Sequence, residues 1–327
     1  MDLDTRPGLD GAGAAAIFNR IVDNVGRVLQ GNDEAIRLAV TCLVAEGHLL
    51  IEDVPGVGKT SLGKALAASV SSRHRRIQFT SDLLPSDVTG ASVFDSATSR
   101  FEFRPGPIFA NVVLGDEINR TPPKTQSALL ESMEEGQVTA DGVTYALPNP
   151  FMVIATQNPI EHEGTYPLPI SQLDRFLMRI QLGYPSADDE VTMLETHGVF
   201  EPLDSLEPVA TTDDVLLLAE RARAVFTSPA IQAYIVQIAN ATRSHPAISL
   251  GMSPRAALAL QRAARARAVL QGRDFVVPDD VKALTAPVVT HRLELRASTG
   301  RGREQVRAVL EEVLRHVPVP DQPVELR

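Results

Sequence analysis

The first stretch of this chain able to do chemistry is Glu52-Asp53-Val54-Pro55-Gly56-Val57-Gly58-Lys59-Thr60, followed by Ser61. A chain of phosphates is bound by closely approaching backbone N–H groups, which glycine permits, plus a lysine and a hydroxyl that can reach Mg²⁺. Gly56, Gly58, Lys59 and Thr60 supply these, so Asp53 through Ser61 is the expected nucleotide-contacting segment. Asp53 stands where the general pattern has its first glycine. Downstream, Val112-Val113-Leu114-Gly115-Asp116-Glu117 is an apolar run ending in two carboxylates. Asp116 can hold Mg²⁺, directly or through water, with Thr60 as its companion, while Glu117 can polarise a water against a terminal phosphate. Together the two stretches point to phosphoryl chemistry on a nucleoside triphosphate with Mg²⁺.

Those residues need a scaffold, and the composition bounds it. At roughly 150 residues per domain, 327 residues suggest two domains. Lys and Arg number 31 against 41 Asp and Glu, a net charge of −10. That balance argues against nucleic acid or anionic lipid as a partner, because phosphate backbones are bound by clustered cations. With 44% hydrophobic and 22% charged residues the chain has globular usage, and with no Trp its core is built mainly from Ala, Leu, Val and Ile. A single cysteine, Cys42, allows no intramolecular disulfide and reads as buried packing. Seven His leave no recognisable zinc cluster. No apolar run approaches the roughly 18 residues of a membrane span, and the start is acidic, so a cytoplasmic protein without membrane insertion is expected.

Residues 1–13 read as a loose tail. Helices are expected over Ala16–Leu29 and in the next segment, where Asn32 can cap and Gly47 can end the helix. Five short apolar runs follow as strands: His48–Ile51, Arg76–Phe79, Asn111–Leu114, Phe151–Thr156 and Phe176–Leu182. Most are apolar enough to be covered on both faces, the habit of a parallel sheet flanked by helices. Pro122–Glu135 reads as a helix capped by Thr121. Two hairpins interrupt the scheme, one around Ser96–Ser99 and one around Asp141-Gly142. A Pro-containing stretch, Tyr184–Pro208, then leads to a second block of helices over Asp213–Phe226, Ala230–Arg243, Pro254–Leu270, Asp279–Val288 and about Arg303–Val317. The expected layout is a 14–185 α/β core with a parallel five-stranded sheet and a smaller helical domain over 186–327.

On these residues the chain resembles AAA+ ATPases, specifically the MoxR family. The most specific stretches are Glu52–Thr60, Gln78–Asp87, Asp116-Glu117-Ile118-Asn119-Arg120 and Asn158–Pro169. The resemblance covers about Ile36 to Leu182 closely and the helical block, as a lid domain, more loosely. Asp53 is common in this family's version of the loop, whereas Ile170-Ser171 stands where the family more often has Glu-Ala. The resemblance implies an AAA+ fold with a P-loop core and three further roles. Asn158 is the sensor that orients the attacking water. Arg175, in Leu173-Asp174-Arg175-Phe176, is the arginine finger offered to the neighbouring subunit, with Arg179 as runner-up. Arg255, in Gly251-Met252-Ser253-Pro254-Arg255, is the second sensor at the start of a lid helix.

The resemblance also implies a ring, expected to be a hexamer, a chaperone-like remodelling or assembly role, and a partner with a von Willebrand factor A domain. Two other readings stay open: a magnesium-chelatase-like motor subunit, and a slow nucleotide-dependent binding switch. His162 and Glu163 are expected to stabilise their loop, and the hairpins to be insertions facing a pore or plain extensions of the sheet. Arg262, Arg265, Arg267 and Arg273 read as a solvated helix face.

Overall fold

The computed structural model describes residues 10–158, 164–197, 202–296 and 302–320. Its contacts divide the chain into Ile21–Thr212 and a second unit of Asp213–Arg327 together with the N-terminal stretch ending at Arg20.

The strands of the first unit are β1 (Leu49–Glu52), β2 (His74–Gln78), the hairpin β3 (Gly90–Asp95) and β4 (Arg100–Pro105), β5 (Val112–Asp116), the hairpin β6 (Gln137–Ala140) and β7 (Val143–Ala146), β8 (Met152–Gln157) and β9 (Met178–Ile180). Five of them form a wholly parallel sheet in the order β2-β5-β8-β1-β9. The helices are α1 (Gly11–Gly26), whose N-terminal part belongs to the second unit, α2 (Asp33–Val44), α3 (Lys59–Ser69), α4 (Pro85–Thr89), α5 (Pro123–Glu135), α6 (Ile170–Leu173) and α7 (Ala187–His197). All five expected strands and both hairpins are present. Leu50, Val113 and Val153 from the sheet pack with Leu129, Leu130 and Met133 of α5 in one buried cluster. Helix α3 lies close against β5: a Cβ on Gly63 would come within 3.2 Å of Leu114 Cδ1.

Several local expectations are corrected. The edge strand β2 has only Ile77 buried, so its outer positions carry polar side chains instead of a doubly covered run. Asn32 holds the N-cap position of α2, but its amide donates to Gln30 O and makes no cap bond. The left-handed residue after that helix is Glu46, at φ 52°. Gly47 is instead required by crowding, since a Cβ there would meet the Leu177 side chain. Pro122 takes the N-cap place of α5, and Thr121 is fully buried ahead of it. Residues 11–13 are helical, where a loose tail was expected; residues 1–9 lie outside the described part. The stretch after Tyr184 contains α7, and its end is tied to the first unit: Val209 and Ala210 donate to Ser69 O, and Asn24 Nδ2 donates to both Ser69 Oγ and Glu207 O. These bonds hold the segment as far as Ala210 to the first unit, whose contacts run to Thr212.

The second unit contains α8 (Thr212–Ala224), α9 (Pro229–Ser244), β10 (Ile248–Leu250), α10 (Pro254–Leu270), α11 (Pro278–Val289), β11 (Glu294–Leu295) and α12 (Gly302–His316). The β10–β11 pair is antiparallel and had no signal in the apolar pattern. Ala256, Ala263 and Ala264 are buried, their small side chains letting α10 approach its neighbours. Arg267 and Arg273 are not a solvated face. Arg273 makes two bonds to the buried Asp280, at 2.8 and 2.9 Å, with Arg267 at 3.5 Å, because a buried carboxylate requires cationic partners. Among the described residues, no helix is long and apolar enough to cross a membrane.

His48 secures the start of the sheet. Its Nδ1 accepts the Val153 N–H at 3.0 Å, so Nε2 carries the proton and donates to Met133 O at 2.9 Å. His48→Leu fills the space but strands both buried backbone groups, and each such loss costs about 1–3 kcal/mol. The expected outcome is a lower urea midpoint at unchanged slope; an unchanged midpoint refutes the role.

Candidate active site

The site grows from the C-terminal ends of the parallel strands, where consecutive chain turns converge. After β1, the chain passes through Gly56 at φ 85° and Gly58 at φ 89°, both left-handed, and enters α3 at Lys59. A Cβ on Gly56 meets nothing within 4 Å, so it is the backbone conformation that calls for glycine there. No side chain caps α3, which leaves its first N–H groups aimed out of the helix as anion donors. Lys59 Nζ donates to Asp53 O at 2.6 Å, spanning the loop from end to start.

Asp53 itself does something the sequence did not reveal. Its Oδ2 accepts N–H groups of Leu182 and Gly183, at 2.8 and 2.7 Å, and its Oδ1 accepts that of Val54 at 2.8 Å. The carboxylate therefore ties the loop to the exit of β9, while the Asp53 N–H donates to Gln157 O at 3.2 Å, so this residue anchors the start of the loop. Glu52, 4% exposed, pairs with Arg179 at 3.2 Å. That pair holds Arg179, the runner-up to Arg175, within the sheet.

Across the sheet, the register sets Gln78 of β2 beside Asp116 of β5. Asp116 is 5% exposed. Its Oδ2 receives the Thr60 hydroxyl at 3.4 Å and Arg76 Nε at 2.6 Å, and its Oδ1 receives the Thr156 hydroxyl at 3.3 Å. Thr60 and Asp116 thus bring hard oxygen donors together beside the phosphate loop. That donor set suits Mg²⁺, which binds through few protein oxygens and keeps water and phosphate for the rest. The residues fit the ion.

Glu117 follows in the left-handed region at φ 59°, a conformation costing about 1–3 kcal/mol in a non-glycine residue. The Thr156 hydroxyl holds it there by accepting its N–H at 2.9 Å. The turn carries the side chain off the strand axis, where Gln78 Nε2 and Arg120 Nη1 each donate to Oε2 at 3.0 Å. Asn158, 4% exposed, comes directly after β8, on the same sheet edge and next in sheet order to β5. His162 and Glu163, with the rest of 159–163, lie outside the described residues.

Arg175 is elsewhere. It lies between α6 and β9, and its Nε pairs with Glu134 at 2.8 Å. Leu177 donates to His48 O, so this segment sits at the edge where β1 begins, opposite the phosphate loop. Arg255, in the second unit, is exposed on the first turn of α10, a start capped by Ser253 Oγ accepting from Ala256 N at 3.1 Å. Arg76, Arg120 and Thr156 were missed. For Thr156 a usable signal existed, since the apolar strand β8 turns polar at its C-terminal end; Arg76, within the polar edge strand β2, and Arg120, in the turn after β5, carried none.

Comparison with known proteins agrees with this geometry. Residues 48–178 match the family model described as ATPase family associated with various cellular activities (AAA), and residues 240–313 match the AAA lid domain. The YeaC protein of Bacillus subtilis is 48% identical over 94% of this chain and 96% of its own length. Chaperone MoxR1 of Mycobacterium tuberculosis is 40% identical over 93% of this chain and 82% of its own. A crystal structure from Cytophaga hutchinsonii superposes with a TM-score of 0.86 at 36% identity, over 95% of this chain and 97% of that one. Likeness along nearly the whole length, and not only through the phosphate loop, favours MoxR over the chelatase reading. The chain belongs to the MoxR family of AAA+ ATPases.

Proposed function

We propose that this protein hydrolyses ATP with Mg²⁺ in a ring of like subunits and uses the cycle to remodel or assemble other proteins. The observation that carries the reading is the meeting of the Thr60 hydroxyl and the Asp116 carboxylate, at 3.4 Å, beside an uncapped helix start. Bound Mg²⁺ supplies charge neutralisation on the phosphate oxygens. The N–H groups from Gly56 to Ser61 bind the phosphates, Lys59 leaves Asp53 O to pair with them, and Thr60 and Asp116 hold the ion. Glu117 draws the proton of the attacking water, and Asn158 fixes that water's orientation. Arg255, exposed at its helix start, is assigned to the nucleotide as a second sensor.

Topology supports action of Arg175 in trans. The four residues of β1, at about 3.3 Å each, put roughly 13 Å between its two ends before the loop begins. An arginine at the opposite edge is thus poorly placed for its own nucleotide and well placed for a neighbour's. A hexameric ring, a cytoplasmic location and a von Willebrand factor A domain partner complete the proposal by family likeness. The chaperone named MoxR1 supports the remodelling role.

Glu117→Gln keeps the shape of the side chain and removes its basicity. Affinity for ATP should hold while kcat falls by about 10² to 10⁴. Near-parent turnover in a phosphate-release assay refutes the assignment of Glu117. Parent turnover that is itself negligible, with or without a client, favours the binding-switch reading instead.

Arg175→Ala should bind ATP normally yet hydrolyse it about 10³-fold more slowly or worse as an assembly. Rings mixed from Arg175→Ala and Lys59→Ala subunits pair an intact loop with an intact finger at some interfaces. They should recover activity that neither variant shows alone. Silence from rings whose mixing is verified by native mass spectrometry counts against the trans role.

A further inference from the structure

The guanidinium of Arg76 stands on the carboxylate that the metal ion needs. Its Nε bonds to Asp116 Oδ2 at 2.6 Å, and the Thr60 hydroxyl reaches that same oxygen. The two partners differ in freedom: the Asp116 side chain is 8% exposed and that of Arg76 is 52% exposed. The carboxylate is sunk into the sheet's edge, whereas the arginine extends from the outermost strand and can swing into water. The pair is also single-pronged. Arg76 gives Asp116 its Nε and directs Nη2 to Gln78 Oε1, at 3.1 Å, where a permanent structural pair would more often be a two-bond fork. Gln78 in turn donates to Glu117 Oε2. One cation therefore touches the metal-holding acid and, through one amide, the water-activating acid.

A guanidinium bonded to Asp116 and a divalent ion that Thr60 and Asp116 would hold compete for one carboxylate, because like charges repel strongly at short range in a partly desolvated site. We infer that Arg76 is an internal counter-ion that holds Asp116 until a divalent ion displaces it, and so sets the metal concentration at which the site loads. The inference rests on the ATPase reading above. Its departure leaves Gln78 Oε1 without the Arg76 bond, which loosens the grip on Glu117 as the metal arrives. Arg76 is thus a positioning residue, and nucleotide chemistry does not require its direct contact.

Two binding measurements test this. A fluorescent, non-hydrolysable ATP analogue is bound in EDTA and then titrated with Mg²⁺. Separately, Mn²⁺ binding to the protein alone is followed by electron paramagnetic resonance. Arg76→Ala should lower the metal half-point by about two- to fivefold in both, the span expected for a charge pair with one half-exposed partner. Metal-free affinity for the analogue should stay at the parent value, and Arg76→Lys, which keeps the charge, should stay near the parent throughout. A half-point in Arg76→Ala that is unchanged or raised, in a protein with the parent's thermal midpoint, overturns the inference. Analogue binding that is indifferent to Lys59→Ala overturns the ATPase reading instead, and the Mn²⁺ measurement still judges Arg76 on its own.

Discussion

A carboxylate buried at the end of a parallel strand is the constraint around which the first unit is organised. Asp116, 5% exposed, needs polar partners for its buried carboxylate, and it takes them from three different elements: Arg76 of β2, Thr156 of β8 and Thr60 of α3. None is near it in sequence. All three meet it because β5 lies between β2 and β8 and because the register is fixed. A slip of one residue would turn Asp116 to the opposite face and abolish every one of these contacts. Gly115, just before it, fits the same constraint: a Cβ there would stand 2.9 Å from the Phe79 ring.

Two departures from regular backbone sit on either side of this carboxylate, and each is held by a specific bond. Glu117 is strained at φ 59°, and the Thr156 hydroxyl restrains it while also donating to Asp116. One small side chain thereby fixes both acids. On the other side, Asp53 replaces the usual first glycine of the phosphate loop. Its carboxylate is satisfied by three backbone N–H groups, two of them from the exit of β9, so the loop is anchored across the strand beside it. The substitution exchanges local freedom at the loop's start for a tie to a neighbouring strand.

The strands, both hairpins and the phosphate loop were legible because their signals are local: apolar runs, turn residues, glycines at set spacing. What escaped depended on strand order. Arg76 looked like one of several charged residues in an exposed strand until β2 was known to lie beside β5. Arg267 and Arg273 looked solvated until the buried Asp280 was seen between them. Helix α7 was hidden because its acidic, weakly apolar sequence, Ala-Asp-Asp-Glu-Val-Thr-Met-Leu-Glu-Thr-His, carries little core-facing periodicity, and Val191 and Leu194 are exposed. Composition likewise carries no trace of the bonds to Ser69 and Asn24 that hold the segment before residue 212 to the first unit.

The polarity of a parallel sheet also bears on why such a site would be shared between subunits. Every strand delivers its C-terminal residues to one edge, and that edge collects the phosphate loop, Asp116, Glu117 and Asn158. Residues preceding a strand collect on the opposite edge, and there Arg175 lies, paired with Glu134 beside the start of β1. No rotamer of a single arginine spans a sheet lengthwise, so the finger role proposed for Arg175 would require another copy to present its own C-terminal edge. Assembly would then be a condition of turnover instead of an addition to it. The Glu134 pair would hold the arginine's place until that neighbour arrives.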